Sequence, residues 1–169
     1  MTDAPGQGSD AAPVADPPWD ADAAVAAVRQ RVQTYLLRET EVTLDQQGRI
    51  IISRGSTRLF INFYPQEHRR LVFVTLTAPV AYYVPMTPAL FEKIARDSDK
   101  WYFGHLCLSP YPEDSEHKGT AYVYLSESLV GDFLDPQEIT VPVLSMAGTA
   151  DEIDDEFVKE FGGGTWANS

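Results

Sequence analysis

Two residues near the middle of the chain have the spacing of a reactive pair. His105 and Cys107 stand two apart in a β-prone run, so both project from one strand face. A thiolate with its base, or two ligands of a metal ion, would have that arrangement. A metal site needs three or four ligands, and the other histidines, His68 and His117, fall in separate turns. Cys107 is the one cysteine in the chain. The pair is therefore read as ordinary strand residues, and no metal or cofactor is expected. The run Asp151-Glu152-Ile153-Asp154-Asp155-Glu156 invites a calcium reading. A calcium loop, however, alternates its ligands around a glycine bend, and no glycine follows here until Gly162. The acids fall in a helical period, which makes them a solvated helix face or an acidic surface for a basic partner. Gly162 to Gly164 follow a helix instead of opening one, so they are no phosphate cradle, and no serine stands in a G-x-S-x-G context. No catalytic residue is assigned, and binding is expected in place of an enzyme's reaction.

What the sequence does supply is aromatic surface. Tyr122 and Tyr124 share a strand face opposite Ala121, Val123 and Leu125, so both faces of that strand carry apolar matter. Helices cover one sheet face, and an apolar face left open marks an interface. Tyr82, Tyr83, Tyr122, Tyr124 and Phe133 are the candidate protein-binding residues. The rival reading is a small-ligand sensor or regulator, with a pocket between sheet and helices lined by Tyr82, Tyr83, Trp101 and His105.

The elements that must position these residues follow from periodicity. Ala21, Val25, Val28, Val32, Tyr35 and Leu36 make one apolar helical stripe, with Asp20 or Asp22 as its cap. The period then changes to two. Strands are expected over residues 41–44, 49–54, 58–64 (stopped by Pro65) and 71–77, joined by loops too short for parallel crossovers. Residues 78–86 read as an apolar connector. Thr87-Pro88 starts a second helix, 101–108 and 119–125 are two more strands, and Asp135-Pro136 starts a last helical stripe reaching Phe161. Pro142 either marks the true first turn of that helix or kinks one long helix. The order α-ββββ-α-ββ-α argues an α+β fold, a largely antiparallel sheet packed by helices.

Composition bounds the rest. The 169 residues suffice for one domain, expected over 19–163, with an acidic Pro/Ala-rich disordered tail over 1–18 and a flexible tail over 164–169. The net charge of -12 disfavours nucleic acid and anionic lipid as partners. Residues 29–70, with eight bases and four acids, are a local exception. No apolar run reaches the ~20 residues of a membrane helix, and the start lacks the basic region of a secretory signal. A cytoplasmic protein is expected.

This layout resembles the type III secretion chaperone-like fold, and within it the YbjN-like and actinobacterial chaperone-like domains. The residues that carry the resemblance are the double hairpin QGRIIISRGSTRLFINF (residues 47–63), the helix start Thr87-Pro88-Ala89-Leu90, and the acidic helix around Thr149 to Phe157 closed by Phe161-Gly162-Gly163. The resemblance implies a homodimer without enzymatic activity. It also implies a protein client, a basic or unfolded segment held extended on apolar patches or sheet edges. By the same analogy Leu90, Phe91 and Ile94 of the middle helix form part of the dimer contact.

Overall fold

The computed structural model describes residues 18–168. The tail expected over 1–18 lies, apart from Pro18, outside the described residues. Three helices, α1 (Ala21–Leu36), α2 (Pro88–Asp97) and α3 (Pro136–Phe161), combine with six strands: β1 (Thr43–Leu44), β2 (Ile50–Arg54), β3 (Thr57–Gln66), β4 (Leu71–Pro85), β5 (His105–Pro110) and β6 (Thr120–Val130). The strands form one antiparallel sheet in the order β1-β2-β3-β4-β6-β5, so the α+β class and element order hold.

Each helix starts where its cap chemistry puts it. The Asp20 side chain accepts from the Ala23 N–H at 3.0 Å, and Thr87 accepts from Leu90 at 3.2 Å ahead of Pro88. Asp135 and Glu138 form a reciprocal capping box that spans Pro136. α3 then runs unbroken through Pro142, which is buried against the core.

Helices α1 and α3 cover one sheet face. Val28, Val32 and Leu36 of α1, with Ile139, Val143, Met146, Ala147, Ala150 and Phe157 of α3, meet the inward residues of β2, β3, β4 and β6 in one apolar core. Strand alternation turns the remaining side chains to the other face, which α1 and α3 do not cover. Phe60, Phe73, Tyr122 and Tyr124 lie there half-buried, and Tyr64 is 51% exposed.

The structure revises several expectations. The connector expected over 78–86 is the second half of β4. Prolines usually end a central strand, but Pro79 sits where the β4–β6 register shifts, at an irregularity that tolerates the missing N–H. β3 likewise runs through Pro65, while β5 begins at His105, past a bend at Trp101. The tail expected to be flexible from 164 is held over 164–166. Gly164 pairs with Tyr82, and Thr165 is buried.

The acidic run of α3 is only partly a solvated face. Asp151 accepts from the Ser56 N–H at 2.7 Å, and the Ser56 hydroxyl lies 2.9 Å from Asp151 Oδ1 and 2.6 Å from Asp154 Oδ2. These two acids clamp the β2–β3 turn. Burial pushes the Asp154 carboxyl above the usual carboxylate range, against the opposing hydrogen bond from Ser56. An acid raised on folding binds more protons folded than unfolded, so this group costs stability as pH rises from the ordinary carboxylate range through its raised value. Asp154→Asn is therefore expected to raise the melting temperature at pH 7, with the gain shrinking toward pH ~4. A lower melting temperature at pH 7 would show that the ionised carboxylate is stabilising.

Candidate functional site

The open face of the sheet divides in two. One half is polar: Asn62, Thr75, Thr77, Ser126 and Ser128, with the Thr75 and Ser128 hydroxyls 3.4 Å apart. The other half is aromatic. Tyr122 and Tyr124, two apart on β6, stack at 4.8 Å between ring centroids, and Tyr122 stacks on Tyr82 of β4 at 4.9 Å. The stack continues sideways. Tyr83 lies on Tyr111 at 5.3 Å and on His117 at 3.9 Å.

The backbone explains how consecutive residues serve one patch. Between Ala81 and Val84 the pairing of β4 with β6 slips, and Tyr83 takes a left-handed conformation with φ +56°. A bulky side chain rarely adopts that region, which costs roughly 1–2 kcal/mol. The irregularity keeps Ala81 and Val84 in the core while both tyrosines between them join the aromatic cluster. Such strain tends to persist where it positions a working surface.

Burial pushes the hydroxyls of Tyr82 and Tyr122 well above the usual tyrosine range, so both stay protonated at physiological pH. The face is thus apolar in its rings and offers only neutral hydroxyls. Its charges lie at its margins. Arg49 sits over Phe60 at 5.1 Å, and Arg58 over Trp166 at 5.1 Å. Beside Tyr83, the loop before β6 carries Glu113, Asp114 and Glu116 around His117, with Lys118 paired to Glu113 at 2.8 Å.

Of the candidate residues, the structure brings Tyr82, Tyr83, Tyr122 and Tyr124 together. Phe133 is elsewhere: it is 76% exposed, beside Phe103, Leu129 and Val141 at the start of α3. Sequence reasoning missed Trp166, which lies on Phe60 at 5.4 Å and near Tyr82 at 6.0 Å. A tryptophan shortly after three glycines was the available signal, since glycines let a chain double back.

The structure also places two further groups of expected residues. Leu90 is fully buried in the chain's own core, its neighbour Phe91 is 48% exposed, and Ile94 packs partly against the core. The pocket expected from Tyr82, Tyr83, Trp101 and His105 does not form. Trp101 packs on the helix side of the sheet, whereas Tyr82 belongs to the stack on the open face, and the space between sheet and helices is filled with aliphatic side chains. Burial raises the Cys107 thiol away from thiolate chemistry. Among the described residues no group of three or more His, Cys, Asp or Glu could hold a metal ion, and no helix is long and apolar enough to cross a membrane.

Comparison with known proteins places these features in a lineage. No curated protein matches the chain. A family model described as T3SS (YopN, CesT) and YbjN peptide-binding chaperone 1, TY-Chap1, matches residues 22–169, from the first helix through the segment that carries Trp166. With this match running through its helices, its sheet and the segment at Trp166, the chain belongs to this family of peptide-binding chaperones.

Proposed function

We propose that the chain holds an extended segment of a client protein on the aromatic half of its open sheet face, against Tyr82, Tyr83, Tyr122 and Tyr124. The observation that carries this reading is the continuous ring stack across β4 and β6 on the face opposite the one α1 and α3 cover. Rigid aromatic rings give large contact area at little entropic cost and suit many sequences. The charged margins give the client a polarity, with acidic residues toward Arg49 and Arg58 and basic ones toward the loop at 113–116. Binding in the cytoplasm, without catalysis, completes this reading.

Hydrogen exchange with reduced, carboxymethylated α-lactalbumin as a permanently unfolded client tests the location. Protection is expected over residues 80–85 and 120–126. Protection confined to α3 would move the client to another surface.

We further propose that two copies pair through α3 instead of α2. Residues 139–150 of α3 carry no charge, in a chain of net charge -12; Val141 and Leu144 among them stand exposed, as does the nearby Phe133. Two such acidic chains meet at least electrostatic cost on an uncharged apolar strip. Light scattering should give a dimer for the native chain and a monomer for Leu144→Asp; a Leu144→Asp dimer would discard this contact.

A further inference from the structure

The segment after α3 makes with the open face the contacts expected of a client. β4 extends beyond the end of its pairing with β3, which reaches only Phe60 and Thr77. The backbone of Tyr82 therefore lies past the β3 ladder, and Gly164 takes the vacant place. The Tyr82 N–H donates to the Gly164 carbonyl at 2.8 Å, and the Gly164 N–H donates to the Tyr82 carbonyl at 2.9 Å. This is an antiparallel strand pair one residue long. Two residues on, Trp166 lays its ring against Phe60 and Tyr82, at the end of the tyrosine stack.

The approach is close enough to dictate sequence. Gly163 has φ +91°, and a Cβ there would stand 2.2 Å from the Tyr82 carbonyl oxygen. Only glycine lets the chain pass, and the pairing at 164 depends on it. Main-chain pairing gives affinity to any extended segment, while the side chain that reaches a pocket gives selectivity.

We infer that residues 163–166 are a tethered pseudo-client: they occupy the end of the client face and display the chemistry it accepts, a small residue paired to Tyr82 and an aromatic residue two positions on. This rests on the client reading above and adds to it a preference and a competition. A tethered segment acts at an effective concentration on the order of a millimolar, so a client must exceed that competition to displace it.

The test uses full-length chains and two probes. The first is a fluorescein-labelled peptide of residues 162–169, with a second version in which its tryptophan is alanine. The second is carboxymethylated α-lactalbumin. Gly163→Ala evicts the backbone pairing, and Trp166→Ala removes the ring while leaving the backbone in place. By anisotropy, the tryptophan peptide is expected to bind Gly163→Ala at least tenfold more tightly than the native chain, and the alanine peptide to bind at least tenfold more weakly than the tryptophan one. Both variants are expected to bind the unfolded client several-fold more tightly than the native chain does. A loss of client binding in Trp166→Ala would make Trp166 part of the site instead of its occupant and overturn the inference. Equal client binding by all three chains, abolished by Tyr122→Ala, would also overturn it while leaving the client reading intact. Client binding indifferent to Tyr122→Ala, with the peptide still preferring Gly163→Ala, would uphold the tether and sink the client reading. Should Gly163→Ala fail to fold, Trp166→Ala alone decides the sign.

Discussion

Tyr122→Ala is expected to weaken binding of an extended client at least tenfold while leaving the chain folded. Tyr122 is the middle ring of the stack, 4.9 Å from Tyr82 and 4.8 Å from Tyr124. Each such ring pair is worth roughly 0.5–1.5 kcal/mol beyond its buried area. Removing the middle ring therefore releases both neighbours from their fixed positions, and a loss of 1.4 kcal/mol is already a factor of ten. The ring lies on the sheet face opposite the aliphatic core, so the cost to folding is expected to stay within the ordinary range of ~0.5–3 kcal/mol. Tyr122→Phe keeps the ring and should bind nearly as well as the native chain, since the neutral hydroxyl contributes little to a sequence-tolerant surface. Tyr64→Ala supplies the control: Tyr64 is exposed on the same open face but no ring of the described residues stacks on it, and its loss should leave affinity unchanged. Titration of fluorescein-labelled carboxymethylated α-lactalbumin reads all four chains. If Tyr122→Ala binds like the native chain, the stack is structural and the client lies elsewhere.

The parts of the fold that depend on neighbours in sequence were readable in advance. Asp20, Thr87-Pro88 and Asp135-Pro136 act through backbone groups two or three residues away, so cap and helix start coincide in sequence and structure. The double hairpin is equally local. Its first loop closes as Asp45 accepts from the Gln47 and Arg49 N–H groups at 2.9 and 2.8 Å. What escaped was set by distant partners. Pro79 and Pro85 carry every local mark of a connector, yet β4 continues because Val80, Ala81 and Val84 are buried against the core and the shifted register with β6 tolerates a proline. Asp151 and Asp154 belong by period to a polar helix face, but the turn at Ser56, about a hundred residues earlier, claims them.

The site was legible as composition and illegible as geometry. Two tyrosines at alternate positions of β6 must share a face, which periodicity alone settles. Nothing local says that Tyr82 and Tyr83, adjacent in sequence, can both join them. That takes a slipped register and a left-handed tyrosine. Phe133 shows the opposite error: it resembles the tyrosines in type, but the turn after β6 directs it to the start of α3, beside Leu129 and Val141. Trp166 was hidden for a third reason. A short segment after a glycine run has no period to read, and only the overhang of β4 gives it something to pair with.

The largest expected loss of stability comes from a residue with no side chain. Gly131 stands at the exit of β6, where α1 crosses the sheet. A Cβ there would lie 2.7 Å from Val28 Cγ1, 2.9 Å from the Val72 carbonyl oxygen and 3.0 Å from Val74 Cγ2. Two of these belong to buried core valines and one to the backbone of β4, so none can swing away cheaply. The same turn fixes the helix by polar contacts. Arg31 of α1 donates to the Gly131 carbonyl at 2.6 Å and to the Asp132 carbonyl at 3.1 Å, while the Asp132 side chain accepts from the Val72 N–H at 2.7 Å. A methyl group at 131 must push α1 or β4 aside and lengthen these bonds together. Overpacking of this kind costs about 1–3 kcal/mol, and the strained hydrogen bonds place Gly131→Ala near the upper end. At about 2–4 °C per kcal/mol for a chain of this size, the melting temperature should fall by roughly 5–10 °C. Gly148→Ala makes the same chemical change inside α3, where the added Cβ meets nothing within 4 Å. There the helix gains about 0.5–1 kcal/mol from the lost glycine entropy, and the melting temperature should rise. Opposite signs in two thermal melts would show that the close approach of α1, not glycine content, decides the outcome. A Gly131→Ala chain as stable as the native one would mean that α1 has room to move and that its clamp to the β6 turn is loose.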